Sequence, residues 1–180
     1  MSNKIIWVFG PSAVGKETFI KYIQDNKPNE LLTRLDWIDK KIATCRESID
    51  WVVQADNDGN ELRRKNLNKI IKDYSQNNTN SLILIKGQDL DFDNNTLNIT
   101  KESLPRDEHE IIYLSVDFDI LYQRFVTKKW WNETMTRDLC KDWAREQIEL
   151  LTQHQNNGFK IIPLDSAKND YLNTNFPPVL

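Results

Sequence analysis

KIIWVFGPSAVGKETFIKYI, from Lys4 to Ile23, decides how this chain is read. Ile5-Ile6-Trp7-Val8-Phe9 is an apolar, β-branched and aromatic run with the length of a buried strand, and a glycine ends it. From about Gly15 to Asp25 the apolar positions Phe19, Ile20 and Ile23 fall at helical spacing, with Pro28 beyond them as a stop. Between strand and helix lies G-x-x-x-x-G-K, with Gly10, Gly15 and Lys16 in its three fixed places. Such a loop has a mechanical task. Its glycines let successive backbone N–H groups turn toward phosphate oxygens, the helix adds its positive end, and the lysine reaches the outer phosphates. A plain glycine turn with a surface lysine would not need a strand before it and a helix after it. The expected nucleotide contacts are therefore Gly10, Ser12, Ala13, Val14, Gly15, Lys16, Glu17 and Thr18.

One residue departs from the pattern. The position after the lysine usually carries Ser or Thr, whose hydroxyl holds Mg²⁺; here it is Glu17, and Thr18 follows. GPSAVGKET resembles the loop of the nucleoside monophosphate kinase-like P-loop kinases. Adenylate kinases carry G-K-G-T, with the threonine one place later than usual, and guanylate kinases are similar in their opening GPS. The resemblance implies a three-layer α/β P-loop NTPase fold: a five-stranded parallel sheet, helices on both faces and a short lid near 127–140. It also implies transfer of the γ-phosphoryl group of ATP to a small acceptor, with ATP and Mg²⁺ as cofactors. Thr18 would lie near the inner phosphate and on the metal side. With no hydroxyl at position 17, Mg²⁺ would be held mainly through water and substrate phosphates. Glu17 would point to solvent from the first helical turn, where a carboxylate is mildly favourable.

The rest of the chain alternates strand and helix signals, as a parallel sheet covered on both faces requires. Lys41–Cys45 (KIATC) reads as a second strand. Leu62 to Tyr74 sets Leu62, Leu67, Ile70, Ile71 and Tyr74 on one side of a helix. Ser81–Ile85 (SLILI), the most continuous apolar run, reads as a central strand, and Ile111–Val116 and Phe159–Leu164 as two more. Helices are expected over Phe118–Val126 and Met135–Leu151, the second with Met135, Leu139, Trp143, Ile148 and Leu151 facing inward. Gln76–Asn80, Asp93–Thr100 and His154–Gly158 read as polar connections. No repeat or linker divides the chain, so residues 1–180 are expected to form a single domain.

VDFDILYQRFVTKKWW, Val116 to Trp131, extends the kinase resemblance. In nucleotide kinases a strand is followed by a short helix ending in arginine and then by basic residues of a lid, and Arg124 and Lys128 reproduce that spacing. By resemblance Arg124 lies against the ATP base or phosphates, and Lys128 reaches the phosphoryl group in transit. Lid cations suit phosphoryl transfer because they neutralise charge and exclude water. Arg137 is either a second lid cation or part of a solvated face with Lys141 and Arg145, Arg145 then pairing with Glu149. Trp130 and Trp131 read as packing at the lid hinge.

Ligands of open parallel sheets sit beyond the carboxyl ends of the strands. Arg46 and Glu47, after KIATC, suit an acceptor site: a cation for an anionic group and a carboxylate to orient or deprotonate a hydroxyl. Ala43-Thr44-Cys45-Arg46 is distantly similar to a guanylate kinase strand that ends in arginine. Lys86, Gly87 and Gln88 line the acceptor pocket or simply leave the core through a glycine turn. Asp89 is the nearest equivalent of an acidic residue steadying Mg²⁺ through water. Ser166, after the last strand, faces the adenine by the same resemblance. A GTPase would need N-K-x-D, which is absent; Asp56–Gly59 and Ser166–Lys168 match its fragments, but the first is also an ordinary turn sequence. Arg63, Arg64 and Lys65 read as a solvated helix face, and His109 and His154 have no partners at catalytic or metal spacing.

Composition narrows the classes further. The 180 residues are 39% hydrophobic and 28% charged, as for a folded globular chain. A net charge of −3 and a pI of about 5.5 give no electrostatic case for nucleic acid. Cys45 and Cys140 lie too far apart for a metal or redox pair. No segment approaches the roughly 18 apolar residues of a membrane helix, so the expectation is a cytoplasmic protein whose partner is a small-molecule acceptor.

Overall fold

A computed structural model of the chain describes residues 2–26, 32–36, 69, 71–73, 75–77, 82–86, 90–128 and 136–168. Its strands are β1 (Lys4–Phe9), β2 (Leu32–Asp36), β3 (Leu82–Lys86), β4 (Glu108–Ser115) and β5 (Lys160–Asp165). All pair in parallel in the order β2-β3-β1-β4-β5, which puts the strand that feeds the glycine loop at the centre. The helices are α1 (Lys16–Asn26), α2 (Leu90–Ser103), α3 (Phe118–Phe125) and α4 (Arg137–Asn156). The described residues between 69 and 77 are also helical.

The alternation of β1 divides the core into two layers. Ile5, Trp7 and Phe9 face one side with Ile83, Ile85, Ile111 and Tyr113, under Ile71, Leu97 and Leu104. Ile6 and Val8 face the other with Leu84, Ile112 and Leu114, under Phe19, Ile20 and Ile23 of α1 and Leu121 and Phe125 of α3. The helix α4 serves both layers, packing Trp143 in the second and Leu150 and Leu151 in the first. All six residues of β1 are buried, the burial expected of a central parallel strand. No helix among the described residues is long and apolar enough to cross a membrane.

Several expectations change. Leu32–Asp36 is a strand that was not expected; Lys41–Cys45 lies outside the described residues, as do Leu62, Leu67, Ile70, Tyr74 and Met135. LTRLD has a charge at its centre and occupies a sheet edge, so it lacks the continuous apolar run of an inner strand. Asp93–Thr100 is not a connection but the body of α2. Its polar letters hide buried Leu97 and Thr100, continued by Leu104 just past its end, and their packing overrides the weak helix propensity of Asn and Thr.

The helix α4 runs past Leu151 through His154 to Asn156, so His154–Gly158 is a connection only at its end. Its inward face carries Cys140, Gln147 and His154, whereas Leu139 and Ile148 are 58% and 57% exposed. Two polar residues in the buried stripe conceal its true phase. Thr136 caps this helix by accepting the Leu139 N–H, and Asp117 caps α3 by accepting that of Asp119.

Candidate nucleotide site

The loop between β1 and α1 lies at the carboxyl ends of the central strands. Gly10, Ala13 and Gly15 have φ of 140°, 66° and 111°. Positive values of this kind curl the chain and let successive backbone N–H groups turn toward a common point. Gly10 cannot be replaced without movement, because an added Cβ would lie 2.3 Å from the Leu114 carbonyl oxygen of β4. Gly15 has room, so its requirement is conformational alone. The turn closes through Val14 N–H to the Pro11 carbonyl at 3.2 Å, and Phe19 N–H to the Gly15 carbonyl at 3.1 Å starts the helix.

Three expected site residues converge on this loop. Lys16 folds back and donates from Nζ to the carbonyls of Gly10 at 2.5 Å and Pro11 at 3.1 Å. Arg124, in the last turn of α3, places Nη1 3.4 Å from the carbonyls of both Ala13 and Val14. Ser166 has its Cβ nearest to the position a Gly15 side chain would take, and its N–H donates to the Ser115 carbonyl at 2.8 Å. Its hydroxyl is buried and has no hydrogen-bond partner among the described residues. Asp165 shapes that turn by accepting from the Ala167 N–H at 2.9 Å and pairing with Lys168 at 3.1 Å. The hydrogen bond from Lys168, then the one from the Ala167 backbone, holds its carboxyl below the usual range.

Glu17 does not simply point to solvent. Its carboxylate is ion-paired with Nζ of Lys86, the last residue of β3. The two are 69 residues apart, and neither the loop pattern nor any spacing signals the pairing.

The other expected residues are less concentrated. Lys128 is an exposed residue of the turn after α3, its N–H bonded to the Phe125 carbonyl at 2.9 Å. Arg137 is the first residue of α4, so the carboxyl part of the range expected as a lid is helix. Its guanidinium is ion-paired with Asp119 and lies 5.2 Å from the ring centres of Phe118 and Tyr122, which ties α4 to α3. Arg145 pairs with Asp142 rather than with Glu149. Thr18 is exposed. Arg46, Glu47, Gln88 and Asp89 lie outside the described residues, as do Trp130 and Trp131.

The loop offers a divalent ion no hydroxyl at the position after the lysine, and Asp89, the other residue expected on the metal side, lies outside the described residues. The hydroxyl position is taken by Glu17, whose carboxylate is engaged by an ammonium. No cluster of three or more His, Cys, Asp or Glu that could hold a metal ion occurs among the described residues.

By sequence the chain matches no protein family and no curated protein. Its fold does match solved structures. A shikimate kinase from Bacteroides thetaiotaomicron superimposes with a TM-score of 0.58 at 12% identity, over 88% of this chain and 84% of the other. A shikimate kinase from Aquifex aeolicus gives 0.54 at 16% identity, over 90% and 85%. A sugar kinase from Janibacter gives 0.51 at 14% identity, over 92% and 86%. The chain therefore has a shikimate-kinase-like P-loop α/β fold, and at such identities the likeness speaks of fold alone.

Proposed function

We propose that the chain is an ATP-dependent small-molecule kinase that transfers the γ-phosphoryl group to a nucleotide, a nucleoside or another small hydroxyl acceptor. One observation carries this reading: Lys16 and Arg124, 108 residues apart in the chain, both rest on carbonyl oxygens of the same glycine loop. An incoming triphosphate offers both cations stronger, charged acceptors than those carbonyls. Lys16 and the loop amides from Ser12 to Thr18 then hold the phosphates. Arg124 lies along their outer side, and the Ser166 hydroxyl faces the base. The acceptor adjoins the carboxyl ends of the strands, with Arg46, Glu47 and Gln88 as its proposed contacts and Lys128 as a cation of a closing lid. ATP enters as its Mg²⁺ complex, the ion carried by phosphates and water.

Sugars and sugar phosphates stand behind the nucleotide classes as acceptors, and shikimate joins the panel because solved proteins of this fold are named shikimate kinase and sugar kinase. The experiment is ADP release from MgATP across nucleoside monophosphates, nucleosides, sugars, sugar phosphates and shikimate, with Lys16→Ala as control. One acceptor should raise the rate well above the acceptor-free background, and Lys16→Ala should abolish the rise. A Lys16→Ala protein with unchanged ADP production would sink the proposal. The engaged carboxylate at position 17 favours a second reading, a nucleotide-binding protein without turnover, which would bind ATP and stay silent across the panel.

A further inference from the structure

A cavity of about 690 Å³ lies at the other end of the sheet from the glycine loop, between the last turn of α2, the turn that leads into β4 and the turn that joins α4 to β5. Its size is that of a site for a small molecule. Lys101 and Glu102, neighbours on α2, both line it. The Lys101 ammonium donates to the Asn157 carbonyl at 2.7 Å and lies 4.6 Å from the centre of the Phe159 ring; among the described residues it has no carboxylate partner. Gly158 keeps that place open, since a Cβ there would stand 3.0 Å from Nζ. The Glu102 carboxylate is exposed and, among the described residues, has no cation partner. Adjacent residues of a helix do not face each other, so the two charges are not placed to neutralise one another.

The other walls suit a positive group beside Glu102. Both α2 and α4 end here, and the carboxyl end of a helix favours a cation. Asp107 adds a further carboxylate, whose oxygens accept from the Asn3 N–H and the Ser75 hydroxyl. His109 is 8% exposed, and its Nε2 lies 2.9 Å from the Leu104 carbonyl, so Nε2 carries the ring proton. The buried Nδ1 keeps a lone pair that has no hydrogen-bond partner among the described residues. Burial holds the ring below the ordinary histidine pKa, so this wall stays neutral and does not repel a cation.

We propose that this cavity binds a free α-amino acid as its zwitterion, with the carboxylate on Lys101 and the Asn157 side-chain amide and the ammonium on Glu102. One ligand then brings the missing counter-charge to both side chains, through charge-assisted hydrogen bonds. The site stands apart from the glycine loop and does not rest on the kinase reading.

The test is calorimetric titration of the whole chain with each standard amino acid, followed by two analogues of any that binds: the amine that lacks its carboxylate and the acid that lacks its ammonium. At least one amino acid should bind with a Kd below about 1 mM, and each analogue at least tenfold more weakly. Glu102→Gln and Lys101→Met should each weaken that binding tenfold or more, and Glu102→Gln should leave the ligand-free melting temperature within about 2 °C. No binding of any amino acid at concentrations up to about 10 mM overturns the inference. Analogues that bind as tightly as the zwitterion also overturn it, because one charge alone would then carry the affinity. So does a Glu102→Gln protein that binds as the natural chain does. The analogue series needs no variant to fold.

Discussion

The two ends of the parallel sheet hold their polar side chains in opposite ways. At the amino end polar groups are buried and bonded to the protein itself. The Asn3 amide donates to the Ser75 carbonyl and hydroxyl at 3.0 and 2.9 Å, and Ser75 and the Asn3 N–H both bond to Asp107. This ties the helical segment around residue 75 to the starts of β1 and β4. Glu110, 3% exposed, pairs with Lys4 at 3.2 Å and Lys160 at 2.7 Å across three strands. At the carboxyl end the cations rest on partners that a ligand can replace. The Arg124 contacts at 3.4 Å are long for hydrogen bonds, and Lys86 leans on a largely exposed carboxylate. One end uses polar groups to fix elements in place; the other keeps positive charge exchangeable. Stability and turnover should therefore separate by sheet end.

The sharpest way to break this contrast is Lys16→Ala. It should lower acceptor-dependent turnover by about 10³-fold, roughly 4 kcal/mol of transition-state stabilisation, while the melting temperature stays within about 2 °C. A large loss of stability would mean that the carboxyl end is structural as well. Glu110→Ala is the mirror experiment. It leaves Lys4, itself 6% exposed, without that partner, and should cost about 3 kcal/mol in denaturant unfolding with turnover per folded molecule unchanged.

Gly10→Ala lies where the contrast is weakest, because the loop there touches β4. The added methyl must displace the Leu114 carbonyl, so the variant should lose about 2 kcal/mol of stability and weaken ATP binding together. Loss of binding alone would show that the loop yields without disturbing β4.

The smallest effect is a pH dependence. Burial holds His109 and His154 below the ordinary histidine pKa, with Lys101 as a further cause at each; at His109 the Leu104 carbonyl and Asp107 act in the opposite direction. His154 is fully buried, neither of its ring nitrogens has a hydrogen-bond partner among the described residues, and its ring meets that of Phe159 edge-on at 5.3 Å. The unfolded chain takes up protons near pH 6.5 that the folded chain refuses. Stability should be complete above about pH 6.5 and fall as pH drops through the folded-state pKa values. His154→Phe should shrink the fall in melting temperature between about pH 7.5 and 5.5 by roughly 2 °C. An unchanged pH slope would exonerate His154 and leave His109 as the group responsible.

The sequence by itself was enough for the glycine loop between β1 and α1, because everything that makes it is local. Gly10, Gly15 and Lys16 sit within one turn, between a continuous apolar strand and a helix with its own apolar spacing. The two-layer core was legible for the same reason in β1, β3, β4, α1 and α3. Arg124 and Ser166 were reached through resemblance, and the geometry sets both beside the loop. Tertiary structure decided what no local pattern encodes. Packing of Leu97, Thr100 and Leu104 made a helix of an Asn-rich stretch, and burial of Gln147 and His154 set the phase of α4. Lys86, an ion-pair partner of Glu17, came from a strand end 69 residues away, brought close by the register of β3 on β1. Propensity and loop chemistry act over a few residues, but an ion pair depends on which strands lie side by side, and that is settled by the fold as a whole.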